Sequence, residues 1–197
     1  MLLLRYINTI KLTEEKIMDV ISCIKERRSV RKYEEKMIPH EVMEEIVEAA
    51  SYAPSWKNTQ IVRYIIVEDR EKIEKIAQEC VLGFEYNTKT MKDAAALVLV
   101  TMVKGRSGYE KDGSFSTPKG DRWQMFDAGI ATQTFCLAAH SKGVGSVVIG
   151  IFDDEKVEEV VSIPEGQQVA AIIASGYPKF APEAPKRKSV EELISYI

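Results

Sequence analysis

The sequence predicts an α+β fold in a single domain, with helices packed on a mixed, mostly antiparallel sheet. Three observations lead there. Two segments with helical apolar spacing precede the first β-branched run, and three of the four strands arrive late, so the chain lacks the regular alternation of a doubly wound sheet. With 197 residues, 45% of them hydrophobic, the chain can bury one sizeable core without disulfides or metals. No internal repeat or low-complexity tract divides it.

Each element has a local reason. Over Thr13 to Arg27, Ile17, Val20, Ile21 and Ile24 recur at helical spacing behind Thr13, a residue suited to cap a helix N-terminus. The basic run from Arg27 to Tyr33 breaks that pattern. Pro39 opens a second helix, whose buried stripe is Val42, Met43, Ile46, Val47 and Ala50. Residues 51–60 are a polar loop around Pro54, and Ile61 to Glu68 reads as a strand. Asp69 caps a third helix carrying Ile73, Ile76, Ala77 and Cys80. Ala94 to Val103 is apolar apart from Thr101, the mark of a strand buried on both faces. Residues 104–121, with four Gly, one Pro and many charges, read as a long mobile loop or lid. Asp121 to Lys142 is a long helix, apolar on most faces, and therefore central or buried in a subunit interface. A strand over Gly145 to Gly150, a short helix over Asp153 to Val161 and a strand over Val169 to Gly176 follow. Ser189 with Glu192 forms a capping box for a last helix.

Composition excludes several classes of function. The 27 basic and 30 acidic side chains leave a net charge of −3, which argues against a nucleic-acid partner and against disorder. Cys23, Cys80 and Cys136 lack CxxC pairing and flanking His, so neither a zinc site nor a disulfide framework is expected. Three unpaired thiols fit a reducing compartment, and the N-terminal apolar run is too short for a secretory signal. The run from Ala94 is about half a membrane span. The expectation is a cytoplasmic protein without a membrane partner. The two histidines, His40 and His140, read as structural. Such scarcity of catalytic side chains points to a borrowed cofactor.

Three features carry candidate chemistry. Arg27, Arg28 and Arg31 around Ser29 suit a phosphate, whose oxygens match guanidinium forks; the same residues also suit a solvated basic turn at a helix C-terminus. Acidic Glu26, Glu34 and Glu35 close by disfavour nucleic acid. Lys186, Arg187 and Lys188 are either a charged linker or a basic tail folding back on an anion. The stretch Pro54, Ser55, Trp56, Lys57, Asn58, Thr59, Gln60 gathers hydrogen-bonding groups just before a strand, where loops carry binding groups or simply turn the chain. Gly143 ends a helix, whereas Gly150, at a strand end, allows a flat ligand to approach the backbone.

Five segments in one order resemble the FMN-dependent nitroreductase family: IKERRSVRKY, APSWKNTQ, FDAGIATQTFCLAAHSKGVG, VVIGIFDD and PKRKSVEELI. The resemblance covers residues 18–197 and leaves 1–17 as an N-terminal extension. It implies a flavoprotein homodimer with one FMN in each of two clefts at the interface. It also implies NADH or NADPH as electron donor, with ping-pong hydride transfer through flavin N5 to nitroaromatic, quinone or similar acceptors. By position, Arg27, Arg28 and Ser29 match the phosphate-binding stretch, and Arg31 matches the basic residue facing the flavin pyrimidine. Pro54, Ser55, Trp56, Asn58 and Gln60 match the loop edging the ring. Val148, Ile149 and Gly150 match the strand end whose backbone points at N5, and one of Lys186, Arg187 and Lys188 matches a further phosphate contact. No side-chain nucleophile and no metal are implied. The segment 104–122 is shorter than the helical excursion of larger members, and Gly150 replaces an acidic residue often seen there. A different flavin reaction, such as reductive dehalogenation or flavin fragmentation, is one alternative; a non-catalytic flavin-binding module is another.

Overall fold

A computed structural model describes residues 18–197. The N-terminal extension, and with it Thr13 and Ile17 of the expected first helix, lies outside the described residues. Helix α1 spans Val20–Glu26 and is capped by Asp19, whose carboxylate accepts the N–H groups of Ile21 and Ser22 at 3.0 and 3.1 Å. Its expected apolar stripe turns outward. Val20, Ile21 and Ile24 are 50% to 72% exposed, and only Cys23 faces the chain's own interior.

Helix α2, His40–Ser51, begins one residue after Pro39 and buries Met43, Ile46 and Ala50 as its spacing predicts. Strand β1 is Val62–Val67, and α3 is Arg70–Glu79, with Asp69 accepting from the N–H groups of Glu71 and Lys72. Helix α4, Glu85–Asp93, has no sequence signature: it lacks a side-chain cap and buries only Thr90 and Met91. Then come β2 (Ala96–Val103), α5 (Arg122–Ser141), β3 (Gly145–Ile149), α6 (Asp154–Val160) and β4 (Gln167–Gly176).

The sheet order is β1-β2-β4-β3, and every neighbouring pair is antiparallel. The expected mixed character reduces, among the described residues, to a single parallel bridge between Ser29 and Ser146. Successive β2 side chains alternate faces. Leu97 and Leu99 pack with Ile73, Ile76 and Val157 from α3 and α6, whereas Val98 and Val100 pack with Ile46 and Phe135 from α2 and α5. A sheet covered on both sides explains why β2 is apolar apart from Thr101.

Two expectations at the surface change. Residues 104–121 form an anchored loop: Ser107 is fully buried, Gly105 N–H donates to the Gln124 side-chain oxygen at 2.7 Å, and Tyr109 bridges Phe115. The last helix does not form. Ser189 N–H does reach the Glu192 carboxylate at 2.9 Å, but only a turn follows, with Val190, Leu193 and Ile194 exposed. A short helix with no surface to bury against is marginal in water, whatever its cap.

Candidate functional site

The arginine run is held by one tyrosine. After α1 the chain lies beside β3, with Val30 N–H bonded to the Ser146 carbonyl at 3.0 Å. Tyr33, 1% exposed, then plunges into the core. Its hydroxyl lies 2.6 Å from the Val30 carbonyl oxygen and 2.9 Å from that of Ala174, and its own N–H donates to Asp93 at 2.7 Å. Two paired glycines make room: a Cβ at Gly145 would lie 2.9 Å from Val30, and one at Gly176 would lie 2.9 Å from the Tyr33 ring. Neither role was legible before the strands were paired.

Arg27, Arg28, Ser29 and Arg31 are thereby held on one open edge. Arg28 donates to the carbonyls of Lys25 and Arg27, closing the end of α1, and Arg31 donates to the Ser29 carbonyl with its guanidinium 5.7 Å from the Tyr86 ring. Among the described residues none of these arginines pairs with a carboxylate, although Glu26, Glu34 and Glu35 lie next to them in sequence. Two cavities adjoin the run. One of about 320 Å³ is lined by Arg27, Arg28, His140 and Ser146; the other, of about 210 Å³, is lined by Ser29, Arg31, Tyr86 and Lys89. Burial pushes the His140 pKa down, and its Nε2 is enclosed without a partner among the described residues. Lys186, Arg187 and Lys188 are exposed, and none of them lines either cavity. Pro182, however, lines both cavities, and four extended residues span about 13 Å.

The polar loop is a tight 3₁₀ turn over Trp56–Asn58. Lys57, Asn58 and Gln60 all have left-handed backbone, with φ of 45°, 54° and 47°. Each such residue costs of order 1–3 kcal/mol, so the surroundings must impose the conformation. Ser55 Oγ accepts the Gln60 N–H at 2.9 Å, Lys57 pairs with Glu110 at 2.9 Å, and the Trp56 and Trp123 rings lie 4.8 Å apart. Pro54, Ser55 and Gln60 border a small cavity with Tyr64 and Asp127. Asp127, 3% exposed on α5, accepts the Trp56 N–H at 3.0 Å and the Ser107 hydroxyl at 2.5 Å. Sequence reasoning missed this acid; its one signal is a lone carboxylate inside the apolar run FDAGIA.

The third piece is the end of β3. Val148 is 47% exposed between buried neighbours and faces a shallow cavity with Met125, Ala128, Gly129 and Gln133. The Ile149 side chain belongs to the core, so only its backbone is free to meet a ligand. A Cβ on Gly150 would touch nothing, so the space beside it is open. Burial raises the pKa of Cys23, Cys80 and Cys136, all three of which are free thiols, so none is poised as a nucleophile. Among the described residues no cluster of His, Cys, Asp and Glu is arranged to hold a metal.

The structure does not bring the arginine run and the loop together within one chain. Asp127, bonded to the loop, is near the start of α5, and His140, beside Arg27 and Arg28, is near its end. Thirteen residues of helix separate them, about 20 Å.

Fold and site together define an α+β domain with an uncompensated cationic edge against the start of β3 and open space at that strand's end. The chain belongs to the nitroreductase family: the family model described as "Nitroreductase family" matches residues 24–177. It is 35% identical, over 82% of its length and 78% of the relative, to a Methanothermobacter thermautotrophicus protein named "Putative NADH dehydrogenase/NAD(P)H nitroreductase". Among solved structures it resembles a nitroreductase family protein from Clostridium novyi NT at TM-score 0.71 and 26% identity, covering 85% of this chain and 89% of that one. It also resembles the NADPH:FMN oxidoreductase of Vibrio harveyi complexed with NAD+, at TM-score 0.73 and 25% identity, covering 89% and 76%. No helix of the described residues is long and apolar enough to cross a membrane.

Proposed function

We propose that the chain is an FMN-dependent NAD(P)H oxidoreductase acting on nitroaromatic, quinone or similar electron-poor acceptors. One observation carries the reading: three arginines held against the start of β3 without carboxylate partners among the described residues, on a strand whose far end is open. The donor set fits the group. Guanidinium forks match phosphate oxygens, and the open space at Gly150 with exposed Val148 admits a planar ring.

When bound, FMN would supply the redox chemistry, ping-pong hydride transfer through N5 between NADH or NADPH and the acceptor. Arg27, Arg28 and Ser29 hold the phosphate, joined by one of Lys186, Arg187 and Lys188. Arg31 places a fixed positive charge where negative charge develops on the pyrimidine side. The backbone of Gly150, with Val148 and Ile149 leading up to it, would face the ring, and the loop of Pro54, Ser55, Trp56, Asn58 and Gln60 would border it.

Because that loop sits about 20 Å along α5 from the arginines, each cleft draws its loop from a second copy of the chain. The exposed apolar side chains of α1, with Met125 and Phe126 on α5, supply a surface for such a homodimer. Residues 18–197 form the FMN-binding domain, with 1–17 as an extension. Three free thiols accord with a cytoplasmic location.

The test is spectroscopic. Protein reconstituted with FMN should be yellow and should bleach when NADH or NADPH is added without oxygen. Protein that takes up no FMN, or bound FMN that neither nucleotide bleaches, would overturn the assignment.

A further inference from the structure

We propose that Asp127 is a positioning residue: its carboxylate sets the conformation of the 55–60 loop and so fixes Asn58 at the edge of the bound flavin. The inference rests on the oxidoreductase reading above and deepens it.

Asp127 is buried, and among the described residues it has no cationic partner. A carboxylate so placed is tolerable only when neighbouring donors satisfy it. Both donors reach the same oxygen, Oδ2: the Trp56 N–H and the Ser107 hydroxyl. The Asp127 oxygen accepts both bonds, which gives the network one direction. Ser107 must donate to Asp127, so its oxygen accepts from the Thr59 hydroxyl 2.7 Å away.

The loop is therefore tied to α5 twice, directly at Trp56 and through Ser107 at Thr59. Between the two ties lie Lys57 and Asn58, both left-handed. Ordinary residues hold that backbone only when both ends are fixed, and these ties fix both ends. Its Oδ2 faces the loop and Ser107, which is fully buried in the 104–121 segment, while the residue also borders the small cavity under the loop. One acid thus joins α5 and the segment that leads into it to a loop 71 residues away.

The test measures FMN affinity by quenching of flavin fluorescence, the visible absorption band of bound FMN, and melting temperature. Asp127→Ala removes both ties and should raise the FMN Kd about 10- to 100-fold and move the absorption band. Asp127→Asn keeps an amide oxygen where Oδ2 stood and should restore affinity to within about threefold of wild type. Ser107→Ala and Thr59→Val cut only the second tie. Each should raise Kd about fivefold, and the double variant should be no worse than either single one. These milder variants decide the question if Asp127→Ala does not fold. A purely structural role would lower the melting temperature yet leave Kd and spectrum unchanged in folded protein; that result overturns the proposal alone. Wild-type protein that takes up no FMN overturns the oxidoreductase reading and this one with it.

Discussion

Replacing Tyr33 with Phe removes one oxygen from an enclosed ring and leaves the packing volume almost unchanged. The lost hydroxyl lies 2.6 Å from the Val30 carbonyl and 2.9 Å from that of Ala174, so one proton serves the closer acceptor and adjoins the other. Stranding a buried acceptor costs about 1–3 kcal/mol. In a chain of this size each kcal/mol lowers the melting temperature by about 2–4 °C, so a drop of about 2–12 °C is expected. Burial pushes the Tyr33 phenol far above its ordinary value of 10.0, so the hydroxyl remains a donor at any working pH. The deficit should therefore be constant between about pH 6 and 9. The assay is thermal unfolding at fixed protein concentration, with urea unfolding alongside. The urea midpoint should fall with no change in slope. Because the run 27–31 hangs between α1 and Tyr33, FMN affinity should weaken as well. A variant that melts within about 1 °C of wild type and keeps its urea midpoint would refute the reasoning that Tyr33 pins the arginine segment.

Other outcomes follow from the same geometry. Arg27→Ala removes a charged hydrogen bond worth roughly 1.5–3 kcal/mol and should weaken FMN binding about 10- to 100-fold; unchanged affinity in a fluorescence titration counts against the phosphate assignment. His140 has its pKa lowered by burial, an effect that Arg27 and Arg28 reinforce and Glu26 opposes. Below the ordinary value of 6.5 the unfolded chain takes a proton that the folded chain resists, so stability is lost as pH falls from 6.5 toward the depressed folded value. His140→Gln should flatten that acid-side loss in urea unfolding measured at pH 5.5 and 7.5; an unaltered slope would mean that the loss arises elsewhere. Comparing variant with wild type cancels His40, whose bond to Glu68 raises its pKa and which therefore acts in the opposite sense.

Much of the fold was legible because its causes are local. The cap at Asp69, the stripe Met43, Ile46 and Ala50, and the almost wholly apolar run of β2 each express a rule acting over a few residues. Periodicity reports that a face is apolar, not what covers it. Val20, Ile21 and Ile24 keep helical spacing yet lie exposed on this chain. Helix α4 has no stripe to detect, since two buried residues suffice to dock it. The capping box at Ser189 and Glu192 was readable, but a cap needs a helix worth forming, and the exposed tail offers no buried face.

The candidate site divides the same way. Arg27, Arg28, Ser29 and Arg31 are adjacent in sequence, so their chemistry could be read as a string of letters. That their charges stay unpaired with carboxylates among the described residues, despite three neighbouring glutamates, shows only in the folded chain. The loop 54–60 was legible as polar, but not its three left-handed residues, because Asp127 lies 71 residues from Trp56 and 20 from Ser107. By itself, then, the sequence determined which segments form elements and which carry cationic and hydrogen-bonding groups, since propensity, spacing and charge act between near neighbours. Only the tertiary structure decided that Gly145 and Gly176 must be glycine, that Asp127 ties the loop, and that arginines and loop stand at opposite ends of α5. Those facts depend on strand register and helix length, which bring together residues that no local pattern connects.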